Sequence, residues 1–327
     1  MKFEKELKSA IKSVQQASRL CQDVQLKLVQ KDTFEKKDRS PVTIADFGSQ
    51  AVISYMLEKN FPNLPLIGEE DPSVLRDNKE MRQKVLDLVQ AQIDLSENEM
   101  LEAIGRGTGT NSEYRFWTLD PIDGTKGFLR GEQYAIALAL LENGELQLGV
   151  LGCPNLPATF EHQEQEKGVL LYAVKDEGAF MLPLNGENSE PIKVSANKDP
   201  KQAKFVESVE SAHSAHSVHS KISDALKIGG KPLRIDSQCK YAVVARGDVS
   251  IYLRYPRDEK YREKIWDHAA GAIIVQEAGG MVSDISGKPL DFSHGRRLEE
   301  NRGVVVTNSI FHDQIIKAIQ QIQKGEL

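Results

Sequence analysis

An apolar run that ends in two carboxylates around a proline, Phe116-Trp-Thr-Leu-Asp-Pro-Ile-Asp-Gly-Thr-Lys-Gly-Phe128, constrains this chain more than any other feature. Its apolar half predicts a strand that delivers Asp120, and Pro121, with no N–H for the ladder, is expected to stop it. Asp123 follows three residues later, and Gly124 and Thr125 open a new turn or helix. Carboxylates so placed can converge while the Ile122 carbonyl faces the same way, an all-oxygen set of the kind hard divalent cations prefer. The amides of Gly124 and Thr125 would then sit where a phosphate can dock, as at a helix N-terminus. A bare Asp-x-x-Asp pair is commonplace on protein surfaces; the strand before it and the Gly-Thr after it supply the context the chemistry needs.

Three more acids stand out by local context. Glu69 ends an apolar run at 64–68 read as a strand, and α/β sheets place their chemistry at strand ends. Asp267 follows Trp266 and is read as a helix N-cap, a role that would by itself explain a carboxylate there. Asp46 is read in the first turn of a helix, where the dipole alone would favour it.

At 327 residues the chain exceeds the usual size of one core, so two lobes are expected, 1–187 and 188–327, divided in the polar stretch 185–190. Hydrophobic residues at 40% and charged residues at 28% describe a soluble globular protein. A net charge of −6 argues against a general nucleic-acid binder. Cys21, Cys153 and Cys239 are odd in number and far apart, which fits neither a disulfide framework nor zinc spacing and suggests a reducing compartment. Phe3, Leu7, Ile11, Val14, Leu20, Val24 and Leu28 recur at helical spacing, so the amino terminus reads as an amphipathic helix packed on a core rather than a targeting signal. No run of eighteen apolar residues exists, and a cytoplasmic location is expected.

Along the chain, a helix is expected from Thr43 to Phe61, and a helix plus a flexible Gly-rich connector, 105–109, within 71–112. Two hairpins are predicted, 134–141 with 145–152 around Asn143-Gly144, and 169–174 with 179–184. Beyond the boundary, helices at 237–246 and 266–278 and strands at 249–255 and 303–307 precede a last amphipathic helix, an α/β pattern.

Trp117-Thr-Leu-Asp-Pro-Ile-Asp-Gly-Thr-Lys-Gly-Phe-Leu-Arg-Gly-Glu-Gln-Tyr134 resembles the first signature of the lithium-sensitive phosphatase superfamily that includes inositol monophosphatase. Trp266-Asp-His-Ala-Ala-Gly-Ala-Ile-Ile-Val-Gln-Glu-Ala-Gly-Gly280 resembles its second. Ser40-Pro-Val-Thr-Ile-Ala-Asp46, Gly68-Glu69-Glu70, Lys126-Gly-Phe-Leu-Arg-Gly131, Asp236-Ser-Gln-Cys-Lys-Tyr241 and Tyr252-Leu-Arg254 are similar to one branch, the 3′(2′),5′-bisphosphate nucleotidases. The likeness covers residues 3–308 and implies the superfamily's layered αβαβα sandwich, an α+β lobe with an antiparallel sheet carrying most metal ligands and an α/β lobe carrying substrate contacts and Asp267.

Residue by residue, the resemblance assigns Glu69, Asp120, the Ile122 carbonyl, Asp123 and Asp267 to metal ligation. It assigns Asp46 and Thr125 to orienting and deprotonating the attacking water. Gly124, Thr125, His216, Ser237, Lys240, Arg254 and Asp267 are implied to contact substrate. His213 and His219 lie three residues either side of His216, so the histidine assignment admits a shift. A zinc site on this His triplet is disfavoured, because the run holds no Glu and has no Cys nearby.

The resemblance implies two or three Mg2+ ions and hydrolysis of the 3′-phosphate of adenosine 3′,5′-bisphosphate to AMP and phosphate. The 2′,5′ isomer and 3′-phosphoadenylyl sulfate would be further substrates, the setting would be sulfur metabolism, and the enzyme a lithium-sensitive monomer without nucleic-acid or membrane partners. Two rivals stand: an inositol polyphosphate 1-phosphatase-like enzyme, and a non-catalytic nucleotide sensor. A sensor would be expected to lack one of the metal acids.

Overall fold

The computed structural model describes residues 2–30, 40–109, 114–160, 167–209, 216–256, 258 and 260–327. Its first part runs α1 (Glu4–Gln30), α2 (Ser40–Asn60), β1 (Leu66–Gly68), α3 (Ser73–Asp77), α4 (Lys79–Gln90), α5 (Glu97–Gly105), β2 (Arg115–Asp123) and α6 (Thr125–Leu129). Five strands follow: β3 (Ala135–Glu142), β4 (Glu145–Pro157), β5 (Lys167–Val174), β6 (Gly178–Pro183) and β7 (Glu190–Ile192). The remainder is β8 (Phe205–Glu207), α7 (His216–Leu226), β9 (Leu233–Arg234), α8 (Cys239–Ala245), β10 (Ile251–Arg254), α9 (Ala269–Glu277), β11 (Met281–Ser283), β12 (Val304–Thr307) and α10 (His312–Gln323).

Strands β1 to β7 form one sheet in chain order, antiparallel except for the parallel pair β1–β2. A second sheet has the order β11-β12-β10-β8-β9, with β8 parallel to β10 and β9 and the other pairs antiparallel. On α1, Leu7, Ala10, Val14, Ala17, Leu20 and Cys21 fall on one face and are buried against β3 and β4. Helix α2 lies between α1, α4, α5 and β2 and buries Val42, Ala45, Ala51, Val52, Ile53 and Leu57. The opposite face of the large sheet packs on α9, α8 joins α9 to the second sheet, and α7 and α10 pair beyond it, their apolar residues sharing a cluster with β8, β10 and β12. The layers are therefore helix, sheet, helix, sheet, helix, as the resemblance implied.

Both predicted hairpins form, and Asn143 (φ 55°) and Gly144 (φ 76°) take the two left-handed positions that suit a tight hairpin to the twist of its strands. Several expectations need correction. Among the described residues of the stretch 71–112 there are three helices rather than one, among them α5 with a Ser96/Glu99 capping box. Its Gly-rich segment is no free connector, because the Gly68 N–H donates to the Gly107 carbonyl (2.8 Å) and Ile67 bridges Thr108. Asp46 lies well inside α2, which begins at Ser40, so the helix dipole does not explain it. Asp267 sits in the turn before α9, and His268 takes the N-cap position.

Helices α8 and α9 approach so closely that a Cβ on Gly271 would lie 2.3 Å from Cγ of Tyr241. Tyr241 cannot swing aside, since its hydroxyl is tied to Nδ1 of His268 at 2.7 Å. We expect Gly271→Ala to destabilise the protein by about 1–3 kcal/mol, the usual range for overpacking, read from urea unfolding. An unchanged midpoint would show that the two helices can spread.

Candidate active site

Residues three apart on a regular strand face opposite ways, so Asp120 and Asp123 should not meet. They do because β2 carries a bulge: the ladder pairs Asp120 with Ala137 and then Asp123 with Ala135, three residues against two. The extra residue returns both carboxylates to one side. Pro121 does not end the strand, which runs to Asp123; it occupies the bulge, where a missing N–H costs no ladder bond. Ser49 of α2 donates to the Pro121 carbonyl (2.9 Å) and pins the bulge from behind. Glu69 enters from the neighbouring strand, because Gly68 pairs with Leu119 in parallel register and Glu69 thus emerges beside Asp120.

The second sheet and its helices supply the facing wall. Ser237 adopts φ +68°, an uncommon conformation for a residue with a Cβ, and the chain it turns aims the Gln238 N–H at Asp123 Oδ2. A Cβ on Gly124 would lie 2.8 Å from that of Ser237, so glycine is required at this approach. The Gln238 side chain donates to the Trp266 carbonyl (2.9 Å) and accepts from the Gly271 N–H (3.1 Å), which anchors the turn holding Asp267. A cleft of about 270 Å³ results, lined by Glu69, Asp120, Ile122, Asp123, Gly124 and Thr125 on one side and by Ser237, Lys240, Arg254 and Asp267 on the other.

Asp46 does not line this cleft; it is buried on its α2 side. His219 is buried, bridging Glu207 Oε1 (3.0 Å) and the Leu253 carbonyl (3.1 Å), and so serves the fold. His213 and the side chain of His216 lie outside the described residues. Sequence reasoning assigned no role to Lys126, Gly127, Ser208 and Asp236, which also line the cleft. Asp236 had a signal, its place beside Ser237, and it takes an ion pair from Arg130. It missed Glu263 as well. Glu263 accepts from Arg254 Nε (3.0 Å), lies 2.8 Å from Nη2, and meets His268 Nε2 at 3.2 Å.

The charges crowd one another. Burial, then Glu69, Asp123 and Asp267, hold the Asp120 carboxyl well above the usual carboxylate range. Burial followed by Glu70 and Glu69 does the same to Asp46. Loss of hydration along the cleft wall, together with Asp267, Glu70 and Asp123, pushes Glu69 up to about 8 although it keeps contact with water. Glu70 rises to about 7, through burial and Asp71. Asp123 rises only to about 6, because Lys240, Arg254 and the Gln238 amide offset burial and Asp267. Asp267 is raised by burial against the pull of Arg254 and His268.

A cation-binding role fits this donor set. Among the described residues, Asp120 Oδ1 is buried with no hydrogen-bond partner, an orphaned acceptor of the kind a metal ion would satisfy. The groups offered are carboxylates and a carbonyl, hard oxygen ligands suited to Mg2+. Glu263, Asp267 and His268 also bring ligand atoms within 4.8 Å of one another. Glu263 is already committed to Arg254 there, and His268 to Glu263 and Tyr241, so that trio is an ion-pair cluster.

A raised carboxyl pKa stabilises the fold below the ordinary carboxylate range, and that contribution is lost as pH rises through the raised values, here about 6 to 8. In chelator, Glu69→Gln should therefore melt at a higher temperature than the wild type at pH 9 and at nearly the same temperature at pH 5. Saturating Mg2+ should reverse the order at pH 9. A pH-independent difference would show that Glu69 ionises unhindered.

Comparison with known proteins places these features in a family. The inositol monophosphatase family model matches residues 3–324. A 3′(2′),5′-bisphosphate nucleotidase of Schizosaccharomyces pombe is 44% identical over 97% of this chain and 96% of its own length. One of Dictyostelium discoideum is 45% identical over 95% of both chains. Among solved structures, a Thermotoga maritima IMPase superposes with a TM-score of 0.63 at 24% identity, covering 99% of this chain and all of its own. CysQ of Bacteroides thetaiotaomicron gives 0.63 at 22% identity over 94% of this chain and 98% of its own. At these identities the structures speak for the fold alone, while the family match and the near-full-length relatives agree with the bulged acidic strand and the cleft it lines: the chain belongs to the inositol monophosphatase family.

Proposed function

We infer that the chain is a Mg2+-dependent phosphatase that removes the 3′-phosphate of adenosine 3′,5′-bisphosphate, leaving AMP and inorganic phosphate. One observation carries the reading: a cleft whose carboxylates call for metal ions also holds Lys240 and Arg254, a buried ammonium and a guanidinium fork. A monophosphate substrate gives those two cations nothing to grip, whereas a bisphosphate offers them the phosphate that is not cleaved. The two nucleotidase relatives described above support the same substrate class.

Two or three Mg2+ ions held by Glu69, Asp120, the Ile122 carbonyl, Asp123 and Asp267 would lower the pKa of the attacking water and neutralise phosphoryl oxygens. Thr125, exposed at the start of α6, takes a proton from that water and passes it toward Asp46, whose raised pKa suits it to hold one. As the water oxygen bonds to phosphorus, the bond from phosphorus to the ribose oxygen breaks, and the departing oxygen takes up a proton from solvent. Amides of the α6 first turn, at Gly124 and Thr125, have no acceptor within the helix and cradle the reacting phosphate. Ser237 lines the nucleotide's path, and the resemblance assigns a further substrate contact to His216. The reading extends to the 2′,5′ isomer and 3′-phosphoadenylyl sulfate, to inhibition by lithium, and to a cytoplasmic monomer in sulfur metabolism. Among the described residues no helix is long and apolar enough to cross a membrane.

Phosphate release from a panel holding the nucleotide bisphosphates and inositol polyphosphates tests this directly. We expect turnover of adenosine 3′,5′-bisphosphate to dominate and to vanish on chelation; turnover that survives chelation, or a preference for inositol 1,4-bisphosphate, would overturn the reading. Arg254→Ala should raise KM for the bisphosphate roughly 10- to 150-fold, the equivalent of a charge-assisted hydrogen bond of about 1.5–3 kcal/mol. The same variant should change kcat/KM for 3′-AMP far less. Equal losses on both substrates would mean that Arg254 acts only through its buried ion pair with Glu263.

A further inference from the structure

Glu69 follows strand β1 and Asp267 lies in the turn before α9; the two repel one another, yet a shared metal site needs them at a fixed separation. One side chain spans the gap between the segments that carry them. Arg296 donates from Nη2 to the carbonyl of Gly68 (2.6 Å), the residue before Glu69, and from Nη1 to those of Gly107 (3.0 Å) and Gly109 (3.3 Å). Its guanidinium carbon lies 4.7 Å from the ring centroid of Trp266, the residue before Asp267.

The backbone around Arg296 is tied to the Asp267 segment independently. The Ile265 N–H donates to the Arg296 carbonyl (3.2 Å), the Leu298 N–H to that of Glu263 (2.9 Å), and Lys264 bridges Arg297. Gln50 braces the opposite flank of the Glu69 segment, bonded to both the N–H and the carbonyl of Glu70.

We propose that Arg296 is a positioning residue for the metal site, its backbone fastened to the segment of one acid and its guanidinium to the segment of the other, so that it sets the distance between Glu69 and Asp267. The role needs a planar fork that reaches several carbonyls while stacking on an indole, which a lysine ammonium cannot reproduce. The proposal rests on the reading of Glu69 and Asp267 as metal ligands.

Calorimetric titration with Mg2+ alone tests it, on the wild type and on Arg296→Met, Arg296→Lys, Glu69→Gln and, as a neighbouring control, Arg297→Met. We expect Arg296→Met to weaken Mg2+ binding about tenfold or more, as loss of the groups that orient metal ligands commonly does. Arg296→Lys should fall between that and the wild type, Arg297→Met should match the wild type, and high Mg2+ should restore kcat in the Arg296 variants. An Arg296→Met protein that melts earlier but binds Mg2+ within twofold of the wild type would overturn the proposal, leaving a plain structural contact. Should that variant fail to fold, Arg296→Lys decides by the same criterion. If Glu69→Gln binds Mg2+ as well as the wild type, the metal reading of Glu69 falls and the proposal with it; if only the Arg296 variants are unaffected, the metal reading stands.

Discussion

Like charges held together in a low-dielectric cleft are the constraint on which the rest of this structure depends. Carboxylates ~4 Å apart repel by about 4 kcal/mol at an effective dielectric of 20. Under burial and that repulsion the carboxyl pKa values of Asp46, Glu69, Asp120, Asp123 and Asp267 all rise, those of Asp46 and Asp120 well above the ordinary range. Asp123, facing Lys240, Arg254 and a backbone amide, stays near 6. The bulge in β2, the left-handed Ser237 and the Gln238 bonds can be understood as means of holding groups where they would not settle by themselves.

Arg254 shows how that constraint reaches the substrate side. Burial works against its charge, but Glu263 and its other anionic neighbours more than compensate, and its pKa lies well above the usual value. A chain of bonds continues from Glu263 to His268 and on to the Tyr241 hydroxyl, all buried beneath the cleft. The guanidinium is thus oriented before any ligand arrives, so little rotamer entropy remains to be lost on binding. Lys240 Nζ lies over the Tyr252 ring, 5.4 Å from its centroid; burial lowers its pKa, against the support of Asp123 and Asp236.

Much of the site was legible in the residues themselves. Trp117 to Tyr134 and Trp266 to Gly280 hold local patterns, strand then acidic turn then helix start, whose chemistry depends on neighbours in sequence. Asn143-Gly144 announced its hairpin for the same reason, since turn geometry is set by two adjacent φ angles. The amphipathic spacing of α1 and α10 was equally local. The short strands β7, β8, β9 and β11 left no such trace, because two or three residues cannot establish a period.

The sequence by itself determined which residue types stand at the acidic strand, at its Gly-Thr turn and before the second helix, and therefore the chemistry the chain can perform. Only the tertiary structure decided that Pro121 sits in a bulge instead of ending a strand, since the difference lies in the register against β3. It also decided that Asp46 lies behind the cleft, that His219 is a core residue, and that Glu263 and Arg296 brace Arg254 and Glu69. These facts rest on contacts between segments far apart in the chain. A lone Glu or Arg in a polar loop carries no mark of the partner that folding will bring to it.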